Sequence, residues 1–438
     1  MSLSTLETRI KDKTAKIAIV GLGYVGLPVA ALLADKGFPV LGAEIKADRV
    51  ALINKGISPI EGKEPGLSEM IKRVIESGHL RATVNFEDLS DRDLILINVE
   101  TPVNDDNYPE YKALRAAVSS VGKNMRTGAL VIIESTIMPT TMEKIVLPLL
   151  EETSGKRVGK DFYLGNCPER VMPGKLLSNL AELSRVVGGD TPQTAAVMKL
   201  FYENIVDADI DESDWVTAEL VKTTENAYRD VQIAFANEVA MICEELGADV
   251  WRVRELVRKS PGREMLMPGA GVGGHCIPKD PWLLASSVRD SNLHLKLIPI
   301  GREVNTSMPG HMLVLLKKKT GSLKGKKILI LGFAYLQESD DIRNSPAKPL
   351  IDLLKSEGAQ VVIHDPFVPE FMGDVYQAAE NCDAAMLVTA HSEYASLDFA
   401  RLKNQMKTSL IIDGRNLLDR EELAAAGFDL VALGYRKR

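Results

Sequence analysis

The sequence is poor in cysteine and has no cysteine pairing pattern. Its four cysteines, Cys167, Cys243, Cys276 and Cys382, are widely separated, with no CxxC pair and no histidine cluster nearby. That spacing speaks against a structural zinc site, and no metal is expected. Long apolar runs are missing too. No stretch approaches the roughly 20 residues that a bilayer crossing requires. The N-terminus is polar up to Ile17 and shows no signal peptide, so the expected location is cytoplasmic, away from the membrane. An excess of basic residues is also absent. The net charge of −7 argues against a nucleic-acid partner but leaves room for a local basic pocket around an anionic small ligand. There is no low-complexity segment and no short repeat. What remains is an ordinary globular composition, 45% hydrophobic and 26% charged over 438 residues, enough for two or three domains.

The first half alternates short β-branched runs with helical patterns. "AKIAIVG" (15–21), "PVLGAEI" (39–45), "DLILINV" (93–99) and "ALVIIES" (129–135) are continuously apolar, as strands of a parallel sheet covered on both faces should be. "FYLGNCP" and "SRVVGGD" read as further strands. Near residue 211 the texture changes. "DESDWVTAELVKTTENAYRDVQIAFANEVAMICEELGAD" has no proline and no glycine before Gly247. Its acidic start suits a helix N-terminus. Val221, Ala227, Val231, Ala234, Phe235, Val239, Ile242 and Leu246 keep a helical spacing. This predicts one helix of about 30 residues, roughly 45 Å long, of the kind that spans domains or builds an oligomer interface. "KKK" (317–319) reads as a solvated helix end. From Lys324 the alternation returns, with strands in "KKILILGFA", "AQVVIHDP", "CDAAMLVTAH" and "SLIIDGRN". The expected class is α/β: two Rossmann-like doubly wound parallel-sheet domains, 1–210 and 321–438, joined by a long central helix within an α-helical middle domain, 211–320.

"VGLGYVGLP" places Gly21, Gly23 and Gly26 in GxGxxG spacing, after a strand and at the opening of a helix. The first glycine permits the tight turn, the second lets a pyrophosphate approach the backbone, and the third allows close helix–strand packing. The helix N-terminus offers amides to the phosphates. Glu44, at the end of the second strand, can accept hydrogen bonds from ribose hydroxyls and would repel a 2′-phosphate. NAD is therefore favoured over NADP, with Arg49 nearby as the opposing feature. A glycine-rich turn without a ligand is the bland alternative. The matching turn in the last lobe, "LGFAYLQESDD", has one glycine where a pyrophosphate site wants three, so no second dinucleotide is expected there.

"GAGVGGHCIPKDPWLL" (269–284) surrounds Cys276 with glycines. Stripped of side chains, that loop is expected to clear one side of the sulfur for a large group. A thiolate beside NAD is a good nucleophile toward a carbonyl. It permits an alcohol to pass through an aldehyde, a thiohemiacetal and a thioester to an acid, whereas a single alcohol oxidation needs no sulfur. Lys222 and Asn226, four apart on the long helix, share a face and can stabilise an alkoxide. Glu169, after a strand end, can activate water, and Asp280 can orient a water or the lysine. Each has a plainer reading: Lys222 and Asn226 as surface residues, Glu169 paired with Arg170, Cys276 as a packed thiol. Cys243 is expected in the helix core, and Cys167 and Cys382 in packed strand or loop positions.

The glycine turn, "TP" (101–102), "ESTIMPTT", "PERVMPGK", "ELVKTTENAYR", "PGAGVGGHCIPKDP", "DDIRNSPA" and "DGRN" occur in that order over nearly the whole chain. In this the sequence resembles the UDP-glucose/GDP-mannose dehydrogenase family of nucleotide-sugar 6-dehydrogenases. "GGHCIP" and "PERV" resemble the branch that acts on UDP-N-acetylhexosamines. The resemblance implies Cys276 as nucleophile and Lys222 as a central catalytic group, with Glu169, Asn226 and Asp280 assisting. It implies cofactor contacts at Tyr24, Val25, Glu44, Arg49, Thr101 and Thr136. Substrate contacts are implied at Arg170, Val171, Lys222, Asn226, Arg229, Arg263, Gly273, Tyr335, Arg343 and Arg415. The last lobe would hold the UDP-sugar, and the long helix a homodimer interface. Two places depart from the family pattern. Leu336 stands where relatives usually have lysine, and "SPGRE" (260–264) replaces an upstream "HPRV".

The expected activity is oxidation of C6 of a UDP-N-acetylhexosamine with two NAD. N-acetylmannosamine is the first choice, then N-acetylglucosamine or N-acetylgalactosamine, with UDP-glucose the nearest rival outside the acetamido sugars. A two-electron β-hydroxyacid dehydrogenase would have no use for Cys276. A non-catalytic NAD-binding scaffold would bind NAD and produce no NADH.

Overall fold

A computed structural model describes residues 1–60, 64–171 and 174–436. Two parts of the "PERVMPGK" motif, Met172 and Pro173, lie outside the described residues. By packing, the chain forms two units. One comprises Met1–Glu225 with Trp282–Leu293, the other Asn226–Pro281 with His294–Arg438.

The first unit is built on an eight-stranded sheet. Its strands are β1 Ile17–Val20, β2 Val40–Ala43, β3 Leu80–Thr83, β4 Leu94–Ile97, β5 Leu130–Ile133, β6 Tyr163–Asn166, β7 Arg185–Gly189 and β8 Ile210–Ser213. The order is β3-β2-β1-β4-β5-β6-β7-β8. All neighbours are parallel except β6 and β7. Successive side chains on a strand point to opposite faces, and here both faces are covered. Ile17, Ile19, Leu94, Leu96, Leu130 and Ile132 enter one core. Ala18, Val20, Ile95, Ile97, Val131 and Ile133 enter another. This is why these strands read as unbroken apolar runs.

The second unit holds a five-stranded parallel sheet. Its strands are β9 Lys327–Leu331, β10 Gln360–His364, β11 Ala384–Leu387, β12 Leu410–Asp413 and β13 Asp429–Ala432, in the order β10-β9-β11-β12-β13. Ile328 and Ile330 face one core and Leu329 and Leu331 the other. In both sheets the chain starts in the middle and reverses direction, after β3 and after β10, so that the switch points lie between β1 and β4 and between β9 and β11. The strand ends at those switch points are where α/β folds bind ligands.

Several expectations need correcting. The N-terminal segment is not featureless: Leu3–Lys11 is a helix capped by Ser2 that buries Leu6 and Ile10. Two apolar residues four apart are a faint signal on so short a helix. The acidic stretch at 211–212 does not open the long helix. Ile210–Ser213 is the edge strand β8, and the helix runs Trp215–Leu246, 32 residues, with Asp214 accepting from the Thr217 amide at its start. The helix's apolar residues also fall on two faces. Ala227 and Ala234 are buried, whereas Phe235, Ile242 and Leu246 are exposed. The edge strands β3 and β13 give no apolar run, because an edge strand is covered on fewer sides; their burial alternates or is partial. The lysines at 317–319 do end a helix, Leu297–Thr320. Among the described residues no helix is long and apolar enough to cross a membrane.

Candidate active site

The first unit presents the glycine turn between β1 and the helix Gly26–Asp35. Gly21 has φ +91°, and a β-carbon there would come within 2.6 Å of the Asn98 carbonyl oxygen; on Gly26 it would lie 2.0 Å from the Gly21 carbonyl oxygen. Both are glycine because protein backbone occupies the space. Around Gly23 nothing lies within 4 Å of that position, so this side is open and free of protein. Val25 precedes the helix, and the Tyr24 hydroxyl bonds the Glu64 carboxylate. Glu44 is buried. Its Oε2 accepts the Leu22 amide at 3.0 Å and its Oε1 the Lys46 amide at 3.1 Å, leaving lone pairs for ribose hydroxyls. Arg49 donates to the Leu22 carbonyl and so braces the turn. Thr101 donates to the Thr136 carbonyl at 2.6 Å, lacing the ends of β4 and β5. These residues fit a bound NAD: turn, acid and open glycine face all lie at the switch point.

Glu169 follows β6 and is buried. It does not pair with the Arg170 side chain. Its Oε2 lies 2.8 Å from Arg185 Nη1, and its Oε1 accepts the Arg170 backbone amide at 2.8 Å. The Arg170 guanidinium instead pairs with Glu225 and bonds Ser184. Val171 packs, half-buried, against the first core. On the long helix Lys222 and Asn226 are half-buried on one face and Arg229 is exposed.

In the second unit Cys276 is exposed, while Cys167, Cys243 and Cys382 are buried. Burial pushes the Cys167 thiol up to about 12 and the Cys382 thiol to about 11, and raises Cys243; these three stay protonated. Cys276 opens a helix, Cys276–Ser286, interrupted by Pro281. A helix start favours negative charge. The glycines before it serve the protein itself, contrary to the expectation that they clear space for a large group. A β-carbon on Gly269 would meet the Arg415 guanidinium at 2.3 Å, one on Gly271 would meet Pro346 at 2.7 Å, and one on Gly273 would meet Tyr335 at 2.4 Å. The Gly274 amide donates to the Arg343 carbonyl at 2.9 Å, and Asn344 donates to the Gly274 carbonyl. Arg415 donates to the carbonyls of Val388 and Gly271. Three residues expected to contact substrate, Tyr335, Arg343 and Arg415, are thus gathered on the cysteine loop. Burial raises the Tyr335 phenol to about 12, so it remains a donor at neutral pH. Arg343 is forked onto Asp341. Arg263 lies on an exposed turn and donates to Pro261; hydrogen bonds among the described residues do not join it to this loop.

Asp280 is fully buried. It accepts the Asn226 amide at 2.5 Å and pairs with Lys279 at 2.7 Å. Lys279, also buried, was not singled out in the sequence, nor were Glu64, Glu134 and Arg185. The first adjoins Asp280, and that adjacency is its signal in the sequence; the others carry no motif signal. Among the described residues no cluster of three or more His, Cys, Asp or Glu is arranged to hold a metal.

Comparison with known proteins identifies the family. Three parts of the UDP-glucose/GDP-mannose dehydrogenase family match: the NAD binding domain over residues 15–206, the central domain over 216–307 and the UDP binding domain over 329–420. The chain is 38% identical to a UDP-N-acetyl-D-mannosamine dehydrogenase of Pyrococcus horikoshii, over 92% of this chain and 96% of the relative. It is 34% identical to an NDP-N-acetyl-D-galactosaminuronic acid dehydrogenase of Ralstonia solanacearum, over 93% and 97%. Among solved structures, a UDP-glucose dehydrogenase of Pyrobaculum islandicum superposes with a TM-score of 0.87 at 28% identity, covering 97% of this chain and 98% of that one.

Proposed function

Since the chain belongs to the UDP-glucose/GDP-mannose dehydrogenase family and is an NAD-binding nucleotide-sugar dehydrogenase, we propose that it oxidises C6 of a UDP-N-acetylhexosamine to the carboxylate. UDP-N-acetylmannosamine is the substrate of first choice, supported by the name of the Pyrococcus relative. The observation that carries the four-electron reading is the exposed Cys276, set at a helix start beside a loop gripped by Tyr335, Arg343 and Arg415. Bound NAD supplies the hydride acceptor for each of two oxidations. Lys222 and Asn226 stabilise the alkoxide of the first; one such donor is worth roughly 3–4 kcal/mol of barrier. The Cys276 thiolate adds to the aldehyde carbon, and oxidation of the thiohemiacetal leaves a thioester. Glu169 takes a proton from the water that attacks it. Asp280, held between Asn226 and Lys279, fixes the Asn226 amide. Arg170, Val171, Arg229, Arg263, Gly273, Tyr335, Arg343 and Arg415 complete the proposed substrate contacts.

The long helix supports a homodimer. Tyr228, Phe235 and Ile242 follow one another at heptad spacing and are 63%, 60% and 54% exposed, a stripe suited to a second copy of the same helix. Phe235→Glu should give a monomer by light scattering.

The test of function is a panel of UDP-sugars with NADH counted per sugar consumed. Two NADH per UDP-N-acetylmannosamine is expected, and Cys276→Ala should cut acid formation by at least about 1,000-fold. One NADH per sugar with a fully active Cys276→Ala enzyme would favour the two-electron β-hydroxyacid reading. Turnover of UDP-glucose alone would move the substrate assignment.

A further inference from the structure

Behind Glu169 the first unit buries a second carboxyl. Glu134 follows β5 directly and is 1% exposed. Its Oε2 accepts the Asn98 amide at 2.6 Å and its Oε1 the Tyr202 hydroxyl at 2.6 Å. Arg185, the first residue of β7, is buried beside it. Arg185 Nη1 lies 2.8 Å from Glu169 Oε2 and 3.8 Å from Glu134 Oε1, Nη2 donates to the Leu180 carbonyl, and the guanidinium sits over the Tyr202 ring. One guanidinium nitrogen is therefore divided unequally between two carboxyls.

Two carboxylates and one guanidinium out of water leave a negative charge uncompensated when all are ionised, a strongly disfavoured state. The groups facing Glu134 are Glu169 and Cys167 from the segment after β6, Arg185 from β7 and Tyr202 from the helix Pro192–Tyr202. Burial raises Glu134 most, Glu169 adds to this, and Arg185, Tyr202 and Asn98 oppose it without cancelling it. The Tyr202 hydroxyl and the Cys167 thiol are themselves pushed up by burial, so neither supplies a competing negative charge at neutral pH.

We propose that Glu134, acting through Arg185, is a positioning residue that sets the orientation of Glu169. This rests on the reading of Glu169 as the group that activates water. While Glu134 holds its proton, Arg185 faces Glu169 alone and holds that carboxyl group in place. When Glu134 ionises, the guanidinium is shared between the two carboxyls and its hold on Glu169 loosens, freeing that carboxyl to meet the attacking water. The step affected is hydrolysis of the Cys276 thioester. Glu169 takes a proton from water, the water oxygen bonds the carbonyl carbon, the C–S bond breaks, and Cys276 leaves as thiolate while the sugar leaves as acid. No electrons are exchanged in this step.

The test uses the full chain with NAD and sugar nucleotide, following kcat against pH and, by quenched intact-mass measurement, the thioester adduct on Cys276. Glu134→Gln keeps the side chain's size and mimics the protonated state. Its kcat should match the wild type at low pH and lack the rise at higher pH, ending about tenfold lower, with KM falling alongside, kcat/KM unchanged and adduct accumulating. Should that variant not fold, Arg185→Lys keeps the charge with a shorter reach, and the inflection should move to higher pH. A wild-type pH profile in Glu134→Gln, or an unmoved inflection in Arg185→Lys, overturns the proposal while Glu169→Gln still stalls as the thioester. A Glu169→Gln enzyme that accumulates no thioester overturns the Glu169 reading itself, and the proposal with it.

Discussion

The two sheets place a carboxylate at the same topological position, and they use it in opposite ways. Glu44 follows β2 in the first sheet; Asp365 follows β10 in the second. The turns they face begin alike. Gly21 and Gly332 share φ +91°, and their amides donate to the last residues of the neighbouring strands, Ala43 and His364. Two residues on, the turns diverge. Gly23 opens onto empty space, whereas Ala334 puts a buried methyl there. The acids diverge with them. Glu44 accepts two backbone amides and keeps capacity for a ligand. Asp365 accepts the amides of Phe333, Ala334, Phe367 and Val368. It also accepts His391 Nε2, because His391 Nδ1 is itself an acceptor for the Glu338 amide. Burial would raise the Asp365 carboxyl, but these bonds outweigh it and hold it at about 2. A saturated carboxylate fastens a turn; an unsaturated one can bind a ribose. One topology thus serves two ends, and the difference lies in how many donors reach the acid.

The strongest way to break this contrast is Gly23→Val. The site is sterically free of protein, so stability should change by less than about 1 kcal/mol. NAD affinity by calorimetry should fall on the order of 100-fold, about 2.7 kcal/mol. Retained NAD affinity would mean that the open face is not the pyrophosphate face. Next in size, Asp365→Asn should destabilise the second unit by about 2–3 kcal/mol, seen as faster hydrogen exchange at the Ala334 and Phe367 amides, and leave NAD affinity unchanged. Glu44→Gln should do the reverse. NAD binding weakens about 5–10-fold and discrimination against NADP shrinks, with little change in melting temperature.

The contrast also extends to pH dependence, whose sign differs between the units. Burial raises Glu219, in the first unit, to about 7 from 4.5. The folded state therefore holds a proton that the unfolded chain has lost, and this contribution is full below 4.5 and disappears as pH rises through 7. Asp365 is depressed to about 2 from 3.8. Its contribution is present above 3.8 and disappears as pH falls through 2. Denaturation followed separately in each unit should show slopes of opposite sign in these windows. Equal slopes would contradict the contrast.

Much of the candidate site was legible where a member sits in a local pattern. The glycine turn, Glu44 at a strand end, and Cys276 between a glycine loop and Asp280 all declare themselves within a few residues of chain. Glu134 and Arg185 did not. Arg185 opens a strand, where an arginine reads as solvent-exposed, and its partners Glu169 and Glu134 come from other strand ends. The long helix was found, but its exposed apolar stripe was not separated from its core stripe. Both are apolar, and only packing tells them apart. The cysteine loop was found as well, yet its glycines were assigned to a ligand when Tyr335, Pro346 and Arg415 occupy that space.

By itself the sequence determined the alternating α/β plan, the dinucleotide turn and the placing of one cysteine between a glycine loop and Asp280, because backbone sterics and hydrophobic periodicity act over neighbouring residues. Tertiary structure alone decided which acid is saturated and which stays open. It also decided which arginine holds Glu169, and which face of a long helix remains uncovered. These depend on desolvation and on donors brought from distant strands, and neither leaves a trace in local spacing.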